Sequence, residues 1–470
     1  MKIKRIGYSL CLCILLGAAA HGCSKSDSGS GNQPALNLTG GKQGQAVGFV
    51  DVDGDGVLDK VVGSPYATTI SSQTGAVLVY KGKGAAAGFS TIPTTVMTGD
   101  DNLGYSFVTI GNDFAVGAIH GDGEDVSLSG SVTIYQGGSS GQIVKKLSGE
   151  WPLDKFGVSL ASGDLNGDGT QDLIVGAPFN TNDPARYQGG AVYVFFGPAY
   201  TTTVKLYASS TAGGLGWAVA AGDVNGDGTH DLLISATGSV LVFYGTSAAF
   251  SPDIALPDLV FKSAAAGFGK AIAVIGDLDG VAGGEIAIGA PNAVVSLNTV
   301  TSRDVGSVYV ANKNGTSPIN LDTAVAGPGG PLITKLNGET LFSRFGLSIT
   351  ALGDIDGGGK SDFAVGAPTQ DVDWNILSGT VYVFKGEDIA AGAPWANTSA
   401  FDGIVKDQSY GISLAGAVLS GPTTTANALL IGAPRSNADT GGVAMVDPAT
   451  GQTVAGGSSG GSSGGSGDCH

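Results

Sequence analysis

The sequence FGVSLASGDLNGDGTQDLIVGAP, from Phe156 to Pro178, together with GGAVYVFFG, from Gly189 to Gly197, indicates the fold of the chain. Its segments alternate in polarity or form short β-branched and aromatic runs, and both patterns are typical of strands. Four such segments lie at 158–161, 173–175, 192–195 and 204–207. The stretch therefore predicts one four-stranded antiparallel sheet.

The same pattern recurs along the chain, so the sheet is one unit of a repeat. The glycine near the start of each unit stands at Gly44, Gly104, Gly157, Gly216, Gly269, Gly346 and Gly411, which gives seven units. One sheet cannot bury both of its faces, whereas seven sheets arranged radially bury them against one another. The 80 glycines, 18 prolines and 42% hydrophobic residues also favour short strands over long helices. We predict an all-β, seven-bladed β-propeller over residues 35–455, with Ala35 to Leu38 as a candidate closing strand.

The Phe-Gly start and Gly-Ala-Pro end of the unit resemble the FG-GAP repeat of the integrin α-subunit N-terminal propeller. The matching pairs are Phe156-Gly157 with Gly176-Ala177-Pro178, Phe268-Gly269 with Gly289-Ala290-Pro291, Phe345-Gly346 with Gly366-Ala367-Pro368, and Tyr410-Gly411 with Gly432-Ala433-Pro434. Three units depart from the ending, with Gly63-Ser64-Pro65, Gly117-Ala118-Ile119 and Ser235-Ala236-Thr237. We expect the aromatic residues Phe156, Phe268, Phe345 and Tyr410 to lie in the core.

Acidic residues at alternate positions predict calcium-binding loops between the first two strands of several units. Loop three (164–172) reads D-x-N-x-D-G-x-x-D, so side-chain oxygens at positions 1, 3, 5 and 9 and the carbonyl of Thr170 would nearly fill a calcium shell. Loops one (51–59) and four (223–231) repeat it. The ligands of these three loops are Asp51, Asp53, Asp55, Asp59, Asp164, Asn166, Asp168, Asp172, Asp223, Asn225, Asp227 and Asp231. The alternative is a polar turn without metal.

Two further loops carry an incomplete ligand set. Loop five (277–285) has Asp277, Asp279 and Glu285 with Val281 at position 5, and loop six (354–362) has Asp354, Asp356 and Asp362 with Gly358 there. Water would replace the missing ligand if these loops bind calcium. An EF-hand is excluded because its twelfth position is a bidentate Glu, whereas Val62, Val175 and Ile234 stand there. Units two and seven lack the motif, and we interpret their connections as plain turns.

Charge and residue usage exclude several function classes. The net charge of −17, without a basic cluster beyond the N-terminus, argues against a nucleic-acid partner. The cysteines stand at Cys11, Cys13, Cys23 and Cys469, so no disulfide framework is predicted for the repeats. His120 and His230 are interpreted as solitary surface histidines, so no catalytic constellation is visible in the sequence. The predicted class is therefore a binding protein rather than an enzyme.

The N-terminus predicts export. Lys2, Lys4 and Arg5 precede the apolar run Ile6 to Ala20, and Ala20-His21-Gly22-Cys23 resembles the lipobox of bacterial lipoproteins. We expect a signal over 1–22, a lipidated Cys23, a flexible tether over 23–34 and a Gly/Ser-rich tail over 456–470. An ordinary signal cut after Ala20 is the alternative. Ser24 resembles an outer-membrane sorting signal, which places the predicted anchor in the outer membrane.

Topology predicts a second functional face opposite the acidic loops, and in integrins that face meets the ligand. Its candidate residues are Trp151, Arg186, Tyr187, Arg303, Asp304, Arg344, Asp373, Trp374 and Arg435. Exposed Trp, Tyr and Arg are common anchors of interfaces. We predict a surface or periplasmic adhesion or ligand-binding module for a protein or glycan, attached to the membrane by its lipid. The alternatives are an envelope enzyme acting on glycans or phospholipids and a purely structural scaffold.

Overall fold

The structure is a computed structural model that describes residues 4–5 and most of 41–450. Within the second range it leaves out 69–73, 85–87, 100–101, 123–125, 140, 182–188, 202, 209–212, 247–249, 251, 253, 298–299, 303, 325–331, 373–375, 405, 421–424 and 436–440. Cys23, the tether, the candidate closing strand and the tail lie outside the described residues.

The chain folds as the predicted seven-bladed propeller, and strands follow one another across each blade in chain order. Blade one consists of Val47–Val50, Asp59–Ser64, Ala76–Tyr80 and Thr95–Thr98. Blade two consists of Leu103–Ile110, Asp113–Ala118, Ser131–Gln136 and Gln142–Ser148. Blade three consists of Ser159–Gly163, Asp172–Ala177, Ala191–Phe195 and Thr203–Tyr207. Blade four consists of Val219–Gly222, Asp231–Ala236, Ser239–Phe243 and Leu259–Lys262. Blade five consists of Ala271–Gly276, Glu285–Ala290, Ser307–Ala311 and Leu332–Asn337. Blade six uses Ser348–Gly353, Asp362–Ala367, Thr380–Phe384 and Ser399–Asp402, and blade seven shows Leu414–Ser420, Thr425–Ala433 and Gly442–Val446 in its described part.

Short elements decorate the blades. A hairpin of Val295–Leu297 and Val300–Ser302 lies between the second and third strands of blade five. The pair Ile319–Asn320 adds in parallel to blade four, and Lys4–Arg5 adds in parallel to blade six. One short helix, Gly386–Ala390, follows the third strand of blade six, and no helix of the described residues is long and apolar enough to span a membrane.

The apolar core is divided among the contacts between neighbouring blades. In the described residues it forms seven clusters, and each cluster joins two adjacent blades. One of them packs Val47 and Phe49 of blade one against Leu430 and Met445 of blade seven, so the ring is closed. Phe156, Phe268, Phe345 and Tyr410 are all buried, which confirms their predicted place in the core.

The glycines of the repeat allow adjacent blades to meet backbone to backbone. Gly216 opens blade four with a φ of 85°, and the hydroxyl of Ser159 in blade three donates to its carbonyl oxygen at 2.8 Å. A Cβ at Gly176, in strand 2 of blade three, would lie 2.1 Å from that oxygen. Any larger residue there would therefore separate the blades. The ring closes through the same contact, because a Cβ at Gly432 would lie 2.1 Å from the carbonyl oxygen of Gly44.

Candidate functional site

The five acidic loops lie on one face of the propeller. Each loop connects the first strand of its blade to the second, and this connection repeats its orientation from blade to blade. Val62, Val175 and Ile234 lie in buried strands, which confirms that these loops close β-hairpins rather than EF-hands. In blade two the equivalent connection is the tight turn at 111–112.

Loop three folds around the carboxylate of Asp164. Its two oxygens accept the N–H groups of Gly169 at 2.8 Å and Asp168 at 3.1 Å. Gly169 has a φ of 84°, which turns the chain back after the position 5 side chain. Asn166 donates from Nδ2 to Asp168 Oδ2 at 3.0 Å, so the side chains at positions 3 and 5 face each other. Loop four repeats these contacts with Asp223, Asn225, Asp227 and Gly228.

The position 9 carboxylate joins each loop to the body of its blade. Asp172 is fully buried, and its oxygens accept the N–H groups of Leu165 at 3.0 Å and Gly197 at 3.1 Å. Gly197 lies beyond the third strand, so the carboxylate ties the loop to that strand. Asp59, Asp231 and Asp362 make the equivalent pairs of contacts.

Burial makes the charge on these position 9 carboxylates costly. Desolvation raises the pKa of Asp172, Asp231 and Asp362 to about 6, and it raises the pKa of Glu285 to about 7. The neighbouring carboxylates of each loop add to this effect. A cation held among these groups would favour their ionised form.

Loops one and six contain a lysine amine among their carboxylates. Lys81 Nζ forms a hydrogen-bonded ion pair with Asp53 and lies 3.0 Å from Asp55 Oδ2. Lys385 Nζ forms the corresponding ion pair with Asp356 in loop six. Hydrogen bonds to the two aspartates raise the pKa of Lys81 above its usual range.

Loop six also gains a carboxylate that the sequence pattern missed. Glu387 accepts the N–H of Lys360 at 3.1 Å, and a Cβ at Gly358 would lie 2.1 Å from a Glu387 oxygen. The carboxylate of Glu387 therefore fills the position 5 space, although it comes from the short helix after the third strand. The feature of the sequence that could have indicated this carboxylate is the position of Glu387, two residues after Lys385. In loop five, Val281 is exposed and Asn312 Nδ2 donates to Asp279 Oδ2 at 2.8 Å.

The donor chemistry of the acidic loops fits a hard cation. Loops three and four offer only carboxylate, amide and carbonyl oxygens, which are the ligands that calcium prefers. Three carboxylates converge, with one oxygen from each within 4.8 Å of the others, in each of loops one, five and six. Those groups are Asp51, Asp53 and Asp59; Asp277, Asp279 and Glu285; and Asp354, Asp356 and Asp362.

The opposite face carries a cavity with a volume of about 410 Å³. It brings together the predicted residues Asp304, Arg344 and Arg435 from blades five, six and seven. Lys42 and Phe342 also line it, and the sequence pattern gave no signal for either. Trp151 is exposed, and it is not among the residues that line this cavity. Arg186, Tyr187, Arg303, Asp373 and Trp374 lie outside the described residues.

His120 and His230, which were predicted to be surface histidines, are partly covered by protein. His230 is half-buried against Gly163 of blade three, and its Nδ1 atom is buried without a hydrogen-bond partner among the described residues. His120 is also half-buried, and its Nδ1 pairs with Asn102 Oδ1. Both residues are therefore partly exposed, and contacts with other residues cover part of each ring.

Comparisons with known proteins match the repeat. The FG-GAP repeat family model matches residues 156–195 and 215–249. Integrin alpha-IIb of Mus musculus is 35% identical over 157 residues, or 29% of this chain and 15% of that protein. Integrin alpha-4 of Xenopus laevis is 30% identical over 233 residues, or 45% of this chain and 20% of that protein.

The similar proteins also include an enzyme. Phosphatidylinositol-glycan-specific phospholipase D of Rattus norvegicus is 40% identical over 94 residues, or 19% of this chain and 11% of that protein. The matched segments thus span between 11% and 20% of the length of these three relatives.

Proposed function

We propose a function for this chain, whose FG-GAP repeats form a propeller similar to that of integrin α subunits. It acts as a ligand-binding module of the cell envelope. Its ligand is a protein that inserts an acidic side chain into the cavity opposite the acidic loops. The acidic loops bind calcium, which stabilises the propeller.

The basic lining of the cavity is the observation that carries this proposal. Arg344 and Arg435 are exposed there, and within the described residues neither forms an ion pair. Lys42 adds a third cation, with its Nζ 4.4 Å from the centre of the Tyr66 ring. The cavity is thus lined by three cations and one carboxylate, that of Asp304, although the chain carries a net charge of −17. An acidic group of a partner would complement them.

Exposed apolar surface beside these cations favours a protein over a small anion. The side chain of Phe342 is 56% exposed at the cavity, and Leu341 beside it is 40% exposed. An apolar anchor next to unpaired arginines is typical of protein interfaces. The resemblance to integrins implies that the ligand binds on this same face, opposite the acidic loops.

Calcium is proposed for the acidic loops because their donor set is made of oxygen and their buried carboxylates favour a nearby cation. Loops three and four supply carboxylates, an amide and a carbonyl at the sequence positions that the calcium motif requires. The ion has a structural role in this proposal, since the loops and the basic cavity lie on opposite faces.

Anchoring through Cys23 completes the proposal and rests on the lipobox resemblance. Palmitate labelling of the wild type, with loss of the label in Cys23→Ser and its retention in Cys469→Ser, tests this point. The match to a phospholipase D covers only 11% of that enzyme, so it supports the repeat and does not by itself support a hydrolase activity.

Selection from a displayed library of peptides rich in Asp and Glu tests the binding proposal. Peptides selected on the wild type should bind Arg344→Ala/Arg435→Ala about tenfold or more weakly, because each lost contact is charge-assisted. Lys155→Ala is the control, since Lys155 packs over the Phe179 ring on the same face and outside this cavity. Equal binding by the double variant and the control would overturn the proposed site.

A further inference from the structure

The residue after the third strand lies beside the acidic loop of its own blade. In blades three and four this residue is aromatic: Phe196 follows Phe195, and Tyr244 follows Phe243. In blades one and six it is a lysine: Lys81 follows Tyr80, and Lys385 follows Phe384. Strand pairing shows that the four positions are equivalent. In each blade, the residue after position 9 pairs with the last residue of the third strand, and the position compared here comes next in the chain.

Both lysines use this position to reach the loop carboxylates. The amine of Lys81 contacts the carboxylates at positions 3 and 5 of loop one, and that of Lys385 contacts position 3 of loop six. Their side chains are 44% and 23% exposed, so protein covers part of each. Among the described residues, no lysine or arginine forms an ion pair with the carboxylates of loops three and four.

We propose that Lys81 and Lys385 serve as built-in cations of loops one and six, so that loops three and four depend on calcium and loops one and six do not. The inference rests on the proposed calcium role and refines it. A metal in loop one would have to displace the amine from two of its ligands. The aromatic residues after the third strands of blades three and four bring no charge, so the carboxylates of their loops remain available to the ion. Lys313 Nζ reaches loop four, where it donates to the backbone carbonyl oxygen of Asn225 and not to a carboxylate.

Loop charge alone predicts a different result. Loop one has four carboxylates and one amine, whereas loop three has three carboxylates, so both have the same net charge. If charge decided affinity, loops one and three would bind calcium equally well. If the placement of the amine decides it, loop three binds calcium and loop one does not.

Site-resolved amide hydrogen exchange of the full chain, with and without about 1 mM calcium, tests the inference. Each loop reports through amides that bond to its first carboxylate, such as those of Gly54 and Gly56 in loop one and Gly169 in loop three. In the wild type we expect exchange in loops three and four to slow about tenfold, as for a Kd of about 0.1 mM. Exchange in loops one and six should stay unchanged.

Substitution of the lysines should make their loops respond. Lys81→Met should confer calcium-dependent protection on loop one and add one bound ion, and Lys385→Met should do the same for loop six. Lys205→Met is the matched control, because it breaks the ion pair with Glu150 outside the acidic loops. It should leave the calcium count unchanged.

The wild-type pattern separates the two ideas without relying on any variant. If loops one and six respond to calcium like loops three and four, the lysine inference is overturned while the calcium proposal stands. If no loop responds, the calcium proposal fails and the inference fails with it. Unfolding curves show whether the variants are folded before exchange is compared.

Discussion

At the scale of single residues, the position 9 aspartate is a structural tie as well as a proposed ligand. Blade two has no acidic loop, yet Asp113 stands at the equivalent place and accepts the N–H of Gly137 at 3.2 Å. The contact to the end of the third strand therefore exists without the rest of the calcium motif. Such an aspartate in a repeat is by itself insufficient to identify a metal site.

The raised pKa values of these carboxylates predict how stability depends on pH without metal. In the unfolded chain an Asp titrates near ~4, whereas burial raises the pKa of Asp172, Asp231 and Asp362 to about 6. The folded state then binds protons more tightly than the unfolded state. The buried carboxylates therefore lower the free energy of unfolding most when they are ionised, above pH ~6, and this loss of stability becomes smaller as the pH falls. We expect the melting temperature of calcium-free protein to rise between pH 7 and pH 5.

General repulsion among acidic groups would act in the same direction, so the measurement needs a control. High salt screens exposed charges and has less effect on buried ones. The rise should therefore persist in about 0.5 M NaCl and shrink when calcium is added. A melting temperature that falls steadily from pH 7 to pH 5 in calcium-free buffer would contradict this account.

At the scale of elements, the blade is the unit that the sequence predicts well. Strand periodicity located the sheets, and the Phe-Gly and Gly-Ala-Pro motifs located their contacts, because both depend on residues close together in the chain. Ser235 replaces the usual glycine of blade four, and its hydroxyl accepts the N–H of Ala218 at 2.8 Å. This hydrogen bond takes the place of the backbone contact that the motif's glycine makes in the other blades.

The contact between blades three and four predicts a large effect of Gly176→Ala. Its Cβ would lie 2.1 Å from the carbonyl oxygen of Gly216, and neither backbone can move without disturbing a blade. We expect a loss of about 3 kcal/mol in the free energy of unfolding, the upper range for overpacking. Chemical denaturation measures it.

Gly111→Ala provides the comparison for this prediction. Gly111 has a φ of 62°, and a Cβ added there would meet no atom within 4 Å, so Ala adds backbone strain alone. That strain costs about 1 kcal/mol. Equal destabilisation by the two substitutions would show that the blades do not meet through Gly176.

At the scale of the whole molecule, the sequence predicted seven blades and two distinct faces but missed what meets across long separations. Lys42 and Arg344 line one cavity although about three hundred residues lie between them. Glu387 enters loop six from another element for the same reason. Periodicity carries no information about such neighbours, since only closure of the ring brings them together.

The propeller is proposed to bind its ion and its ligand on opposite faces. The most direct test is the Kd of one selected acidic peptide for the wild type, Asp164→Ala and Arg344→Ala/Arg435→Ala. Loss of the loop three ion in Asp164→Ala should lower stability by about 0.4 to 1.4 kcal/mol at ~1 mM calcium. We predict an unchanged Kd for Asp164→Ala and a Kd about tenfold or more higher for the arginine variant. Equal weakening by both variants would contradict the separation of the two faces.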